Sequence, residues 1–435
     1  MDRLERALVA FLVYGAFEGL LKRLTGYAWY VYPIKDLFFL YVLASWIRVP
    51  SRRGTRSRSP LSLLLGTYLV LIGVEILNPY LPSVVAGLVG VRASYMYAVL
   101  YFIAFRAFDT EERVIRLARW IGCLAVVTAL GAMVEAWLGV EWVYENKVQV
   151  MINATYLGVS GNWVIRPSSI GTGPGSAAMM EFIGAGLLLG LASLERRGPR
   201  QILLLSGAAL TLGGILLAAT RIIWLMTAIA AVTFVLLLGR RRIRWGVSVV
   251  LLVAVAWQLS LFFSGGEIIA RFQTLKTPFE TYRTQRFGAL QVLPEVISDY
   301  PFGAGVGWNV PRRDLVEHFY LGESVQHVGV HNYFSVLALE VGIVGLLLFL
   351  AFSAGVLLRG LLAVHRTKNE ARRSLLVACY AIFAGIVLSF PFGGGIIGWP
   401  GEYYWILAAM VLRLGRQPVE VRLDPSLTPA ALPRF

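Results

Sequence analysis

Apolar stretches long enough to cross a bilayer recur along the whole of this chain, separated by short breaks rich in arginine. They fall at about 5–21, 28–47, 60–77, 90–107, 119–138, 177–194, 201–219, 222–239, 245–263, 332–358, 374–391 and 400–414. A helix of about 20 residues spans a hydrocarbon core of about 30 Å. The pattern therefore predicts an all-α, polytopic integral membrane protein with about twelve crossings. Asn78-Pro79 and Pro82 interrupt the periodicity, so 80–92 reads as a turn or a short re-entrant piece.

The basic residues test this layout. Arg52, Arg53, Arg56 and Arg58 follow the second stretch; Arg196, Arg197 and Arg200 the sixth; Arg240, Arg241, Arg242 and Arg244 the eighth. Arg359, Arg366, Lys368, Arg372 and Arg373 follow the tenth. An even number of crossings places all four groups on the side of both termini, which the positive-inside rule makes cytoplasmic. The mixed-charge segment Asp109–Trp120 is expected on that side as an amphipathic linker. The chain thus reads as one membrane domain, 1–435, with an outer loop over 264–331 and a cytoplasmic, proline-containing tail over 416–435.

Composition agrees: 57% of residues are hydrophobic and 15% charged, against about 25% charged in ordinary soluble domains. A net charge of +15 would suggest nucleic acid in a soluble protein. Confined to short breaks between apolar stretches, it reads as orientation and contact with anionic lipid, and no nucleic-acid partner is expected. Cys123 and Cys379 lie within apolar stretches without a CxxC or metal-ligand spacing, and are expected as buried thiols. Met1–Leu21 lacks a small-residue cleavage site and reads as the first crossing.

Two long segments remain for the outer side, 139–176 and 264–331. Loops beyond about 12–15 residues are usually functional or disordered. Within the second, Phe287, Leu290, Leu293 and Ile297 recur at helical spacing and predict an amphipathic helix, which Pro294 would kink or shorten. Pro301-Phe302-Gly303-Ala304-Gly305-Val306-Gly307-Trp308-Asn309 follows. Its alternating glycines do not follow a strand, so a tight turn suits them better than a phosphate cradle.

Three basic groups gather on the outer side. Arg221 stands between two apolar stretches, where a charge is costly; it either serves a substrate or snorkels to lipid phosphate. Arg286 shares a helical face with Leu290, Leu293 and Ile297, so its guanidinium would point with the apolar stripe, toward an anionic substrate or a salt bridge with Asp299 or Glu295. Arg283 lies one turn away and could assist. His331 sits where the outer loop meets the tenth stretch, and an ordinary imidazole pKa of about 6.5 suits a general base. His327 is the weaker candidate base, His318 is expected in solvent and His365 on the cytoplasmic side. The outer loops carry no Asp-x-Asp, no metal-ligand cluster and no nucleophile elbow. No cofactor is expected. The residues fit metal-free glycosyl transfer from a polyprenyl-diphosphate sugar, with arginines holding the departing diphosphate. A transporter or flippase of lipid-linked saccharide is the alternative. Asp36, Glu181, Glu340 and Glu135 inside the stretches speak for it, and the lack of internal repeats against it.

From about Ala219 to Leu350 the chain resembles the O-antigen ligase and O-antigen (exopolysaccharide) polymerase superfamily of bacterial membrane glycosyltransferases. The resemblance rests on Thr220-Arg221, on Arg286 ahead of Pro301-Phe302-Gly303-Ala304-Gly305, and on His331-Asn332-Tyr333 followed by Glu340-Val341-Gly342-Ile343-Val344-Gly345. Arg166-Pro167-Ser168-Ser169-Ile170-Gly171 is a weaker echo. Phe17-Glu18-Gly19-Leu20-Leu21-Lys22-Arg23 with Ile34-Lys35-Asp36 is similar to the start of exopolysaccharide polymerases.

The resemblance implies a GT-C-like, metal-independent enzyme of the inner membrane with its active site facing the periplasm. Arg221, Arg286 and His331 would be catalytic, and Arg166, Arg283, His327 and Asn332 substrate-binding. The donor would be an undecaprenyl-diphosphate-linked glycan and the acceptor either a lipid-linked glycan or lipid A–core. Membrane lipids and envelope polysaccharide assembly proteins would be partners. The N-terminal similarity tilts the acceptor toward the repeat-unit polymerase. Ile222-Ile223-Trp224 and Leu290 depart from the family pattern, where small residues and an aromatic are usual.

Overall fold

The computed structural model describes residues 2–26, 28–48, 59–145, 155–158, 160–195, 197–273, 288–308, 332–392 and 401–416. These are overwhelmingly helical. The first helices are α1 (Arg3–Leu24), α2 (Tyr32–Arg48) and α3 (Ser62–Glu75). Next come α4 (Val84–Gly90) and α5 (Leu100–Ala107), joined through a π turn and a 3-10 turn. After α6 (Glu111–Glu145), a two-stranded antiparallel hairpin, β1 (Thr155–Leu157) and β2 (Trp163–Ile165), precedes α7 (Pro174–Leu194). Then follow α8 (Pro199–Leu217), α9 (Arg221–Leu237), α10 (Arg242–Ser264) and the short α11 (Ile268–Gln273). The last are α12 (Gly288–Asp299), α13 (Tyr333–Arg366), α14 (Glu370–Ser389) and α15 (Gly401–Leu414).

Seven helical stretches among the described residues are long and apolar enough to cross a membrane, and α3 and α9 are shorter apolar helices. The bundle interior is closed by aromatic packing. Phe349 stacks on Tyr404 at 5.6 Å and meets Tyr333 edge-on at 5.3 Å. Large apolar side chains such as Leu63, Leu203, Ile243 and Val250 remain exposed, as a lipid-facing surface requires.

The bundle has two chemically different ends. At one, arginines tie helix termini together. Arg113 pairs with Asp2 at 2.6 Å, Arg241 with Glu370, and Arg244 donates to Gln201 at 3.1 Å. Arg373 donates to Leu237 O at 3.2 Å and Arg372 to Leu414 O at 2.8 Å, satisfying the last carbonyls of α9 and α15. Arginines following the eighth and tenth apolar stretches thus lie at one end together with Gln201, which follows the sixth; Arg52 to Arg58 and Arg196 lie outside the described residues.

At the other end the charges are buried. Glu18 pairs with Lys22 and, at 3.5 Å, with Lys35, which also pairs with Glu402. All four are at most 6% exposed, so each charge needs its partners to offset lost hydration. The N-terminal residues that resemble exopolysaccharide polymerases are therefore largely occupied in joining α1, α2 and α15.

Three details depart from the sequence reading. The segment Asp109–Trp120 is not a separate linker. From Glu111 it is the first part of α6, because Arg113 and Arg116 face Asp2 and Glu5 across the start of α1 and the rest of the turn is apolar. The 80–92 interval becomes α4 and runs through the π turn into one apolar crossing, Val84–Ala107. Pro294 lies inside α12 without ending it.

Candidate functional site

The buried-charge end is organised by two irregular segments. The first is 166–173. The main-chain N–H groups of Ser168 and Ser169 donate to one carboxylate oxygen of Glu135 at 2.8 and 3.0 Å, while Arg23 donates to the other at 2.9 Å. Ser169, at φ +49°, sends its hydroxyl to Thr128 O at 2.6 Å. Leu20 N donates to Ile170 O at 2.9 Å, and Gly19 gives the room for Gly171 and Thr172 to pass. The segment is wedged between α1 and α6, and its first residue is Arg166.

Arg166 crosses to the turn between α8 and α9. Its Nε donates to Ala218 O at 3.0 Å and its Nη2 to Thr220 Oγ1 at 2.8 Å. Arg271, on α11, donates to the neighbouring Ala219 O at 3.4 Å. Ala219 has φ +50°, a left-handed conformation costing a non-glycine residue about 1–2 kcal/mol. Two arginines holding the carbonyls of 218 and 219 fix that turn, and with it the start of α9 at Arg221. Phe272, next to Arg271, stacks on Trp224 at 4.1 Å and meets Trp257 edge-on at 4.7 Å, anchoring α11 over α9 and α10.

Three guanidiniums therefore share one neighbourhood. Burial, aided by Arg271 and Arg221, pulls the pKa of Arg166 down to about 10. Tyr156, on β1, is pushed up to about 12 by burial and by Glu267, against the opposing pull of Arg271 and Arg166. Glu267 also accepts from Ser160 N at 3.1 Å, tying the hairpin turn to α11. A crowd of fork-shaped donors suits an anion of dispersed charge, such as a diphosphate.

The second segment is 301–308, which docks against a kink in α13. Gly342 there has φ +68°. Ile343 N donates to Pro301 O at 3.0 Å, and Ala304 N to Leu339 O at 2.6 Å. Glu340 accepts from Tyr95 OH at 2.5 Å and from Gly307 N at 3.3 Å, and Asn78 donates to Gly303 O at 3.0 Å. Gly303, Gly305 and Gly307 all have φ near +100°. The amides of Gly303, Ala304 and Gly307 are engaged within the protein, so this is a tight docking turn, as its sequence suggests.

Of the residues singled out in the sequence, Arg166 and Arg221 come together. Asn332 is 2% exposed and caps α13: its carbonyl accepts from Ser335 N at 2.8 Å and its amide donates to Ser335 Oγ at 2.9 Å. His331, Arg286, Arg283 and His327 lie outside the described residues. Arg271, Tyr156 and Glu267 were not evident from sequence. The available signal was Arg271-Phe272 one residue after an apolar Ile268-Ile269 pair, a cation and an aromatic shortly past the end of a crossing. Of the acids inside the crossings, Asp36 pairs with Arg92 at 2.7 Å, and Glu135 and Glu340 are held as described. Glu181 is fully buried with no hydrogen-bond partner among the described residues. Among those residues, too, no three His, Cys, Asp or Glu side chains are grouped to hold a metal ion.

These features define a multi-pass helical membrane protein whose polar site lies at the end opposite its arginine-tied helix termini. Residues 206–350 match the family model described as O-antigen ligase, which supports for that third of the chain the resemblance to the O-antigen ligase and polymerase superfamily. The matched segment contains Arg221, Arg271 and the Gly303–Glu340 joint, close to the span expected from the resemblance. No curated protein matches the chain.

Proposed function

We propose that this protein is a glycosyltransferase of the bacterial inner membrane, crossing it about twelve times with both termini cytoplasmic. It moves a glycan en bloc from an undecaprenyl-diphosphate donor to an acceptor hydroxyl at the periplasmic face. The acceptor O–H proton passes to His331, the new glycosidic bond forms at the donor's anomeric carbon, and the C–O bond to diphosphate breaks. Its electron pair leaves on undecaprenyl diphosphate, whose charge is neutralised by Arg286 and by Arg221, the latter with Arg166 and Arg271 beside it. No resident metal or cofactor is assigned a role.

The observation that carries this reading is the convergence of Arg166, Arg221 and Arg271 on one turn within or beside the family-matched segment. The local engagement of Asp36, Glu135 and Glu340 favours transfer over a flippase. Because Glu18, Lys22 and Lys35 are engaged in a buried ion network, the N-terminal resemblance no longer ranks the two acceptors, a lipid-linked repeat or lipid A–core.

The test is reconstitution in proteoliposomes with an undecaprenyl-diphosphate oligosaccharide, offered a second donor molecule in one arm and lipid A–core in the other. Glycan transfer in either arm, abolished by His331→Ala in protein of normal elution profile, is expected. Donor movement across the bilayer without transfer in either arm would establish the flippase instead.

A further inference from the structure

Three aromatic rings meet where the connection between α3 and α4 faces the segment that follows α12. Tyr80 meets Tyr300 edge-on with ring centres 5.4 Å apart, and Tyr300 leans on Trp308 at 6.2 Å. Hydrogen bonds fix the backbone beneath them. Asn78 donates to Glu75 Oε2 at 2.6 Å and to Gly303 O at 3.0 Å, and it accepts from Tyr80 N at 3.0 Å. Tyr300 N donates to Val296 O at 2.9 Å, and Tyr300 O accepts from Gly303 N at 3.0 Å. One side-chain amide thus pins the turn that carries Tyr80 to the turn that carries Tyr300 and Trp308.

The rings remain accessible. Tyr80 is 57% exposed, and Tyr300 and Trp308 are half-buried. Among the described residues, neither tyrosine hydroxyl nor the Trp308 indole N–H has a hydrogen-bond partner. Asp299, next to Tyr300, and Glu295, one turn earlier on α12, are exposed and make no ion pair among those residues. Across 75–82 and 293–308 every charged residue is an acid: Glu75, Glu295 and Asp299.

Exposed aromatic rings with a polar rim mark a binding surface. Acyl chains would cover the rings but not the two carboxylates, which are costly against hydrocarbon. The acidic rim also repels phosphate and other anions. A sugar ring meets both demands. Its axial C–H groups pack on the electron-rich face of an aromatic ring, while its hydroxyls lie at the edge, within reach of carboxylates, phenols and an indole N–H. The platform is also attached to the frame of the transfer site. Gly307, beside Trp308, donates to Glu340 at 3.3 Å. The N-cap of that helix, Asn332, stands about 12 Å back along its axis and directly follows His331 in sequence.

We propose that Tyr80, Tyr300 and Trp308 form a saccharide subsite, rimmed by Glu295 and Asp299, for a neutral or amino-sugar ring of the glycan. The identity of this ligand rests on the glycosyl-transfer reading, but its binding can be measured without turnover.

Saturation-transfer difference NMR of the full-length protein in detergent, with the free oligosaccharide released from the donor by mild acid, makes that measurement. Wild type is expected to pass saturation to the ring C–H protons of the oligosaccharide. Tyr80→Ala and Tyr300→Ala should each weaken binding about fivefold, the loss of one aromatic contact. Tyr80→Phe, which keeps the ring, should stay within about twofold of wild type. Rates in proteoliposomes then identify the source of the sugar: Tyr80→Ala should raise KM for the donor glycan or for the acceptor glycan more than it lowers kcat. No saturation transfer with wild type, or equal binding by wild type and Tyr80→Ala, would overturn the subsite and leave the rings to the membrane interface. Tyr80-dependent binding in a protein that transfers no glycan would keep the subsite and reject the transferase reading. Should Tyr300→Ala fail to fold, the exposed Tyr80 position decides alone.

Discussion

Arg166 and Thr220 lie 54 positions apart and are joined by a 2.8 Å hydrogen bond from guanidinium Nη2 to hydroxyl Oγ1. This contact locks the end of the hairpin segment onto the turn that starts α9. It makes Arg166 at once a brace for Arg221 and a member of the same cationic group.

Arg166→Ala should cut glycan transfer by about 10- to 100-fold, the loss expected from removing charge-assisted hydrogen bonds worth about 1.5–3 kcal/mol. Arg166→Lys separates bracing from charge. An ammonium starts near 10.5, and the burial and crowding that bring Arg166 to about 10 act on it in the same direction. A cation with a lowered pKa loses its charge as pH rises through that value. Transfer by Arg166→Lys should therefore fall between about pH 7 and 9, where wild type stays constant in this respect. Initial rates across that range check the difference; parallel profiles would remove Arg166 from the charged group.

Glu340→Ala should lower stability by about 2 kcal/mol, since Tyr95 OH and Gly307 N lose a buried charged acceptor. Glu340→Gln, which keeps an oxygen in place, should lose less. Thermal unfolding in detergent ranks the two, and equal midpoints for both variants and wild type would deny Glu340 a part in the joint.

Gly303→Ala should prevent correct docking of 301–308. The residue has φ +97°, and an added Cβ would stand 2.8 Å from Gly342 N and 2.9 Å from Glu340 O. The backbone strain alone costs about 1–3 kcal/mol, and main-chain atoms cannot swing aside. Fluorescence-detected size exclusion should show loss of the monodisperse peak, whereas Gly66→Ala, where a Cβ meets nothing within 4 Å, should elute normally.

Glu181→Met should be neutral or stabilising. The buried carboxyl has no hydrogen-bond partner among the described residues, so replacing it with an apolar side chain of similar length removes the cost of burying unpaired polar atoms. An unfolding midpoint well below wild type would show that Glu181 has a necessary partner.

The sequence was most legible where one-dimensional spacing carries the physics. Apolar length marked the helical stretches, seven of which among the described residues are long and apolar enough to cross a membrane, and arginine clusters expected on one side include Arg241, Arg372 and Arg373, which lie together at helix ends. It failed where a side chain's meaning depends on a distant partner. Glu111, Arg113 and Arg116 look like a surface linker until Asp2 and Glu5 are placed across from them. Arg271 looks like one of several loop arginines until α11 is laid on Trp224. Arg166 was reached only through resemblance, because nothing within 20 residues of it hints that its partners are Ala218 and Thr220. Asn332 was read as a substrate contact, and its polar groups serve the helix cap.

The joint between 301–308 and the kink at Gly342 is built mainly from main-chain atoms. Such a hinge-pin is blind to the identity of most neighbouring side chains and strict only about its glycines. Sequences that share this joint could thus exchange the chemistry of the surrounding surface without recutting the frame that carries it.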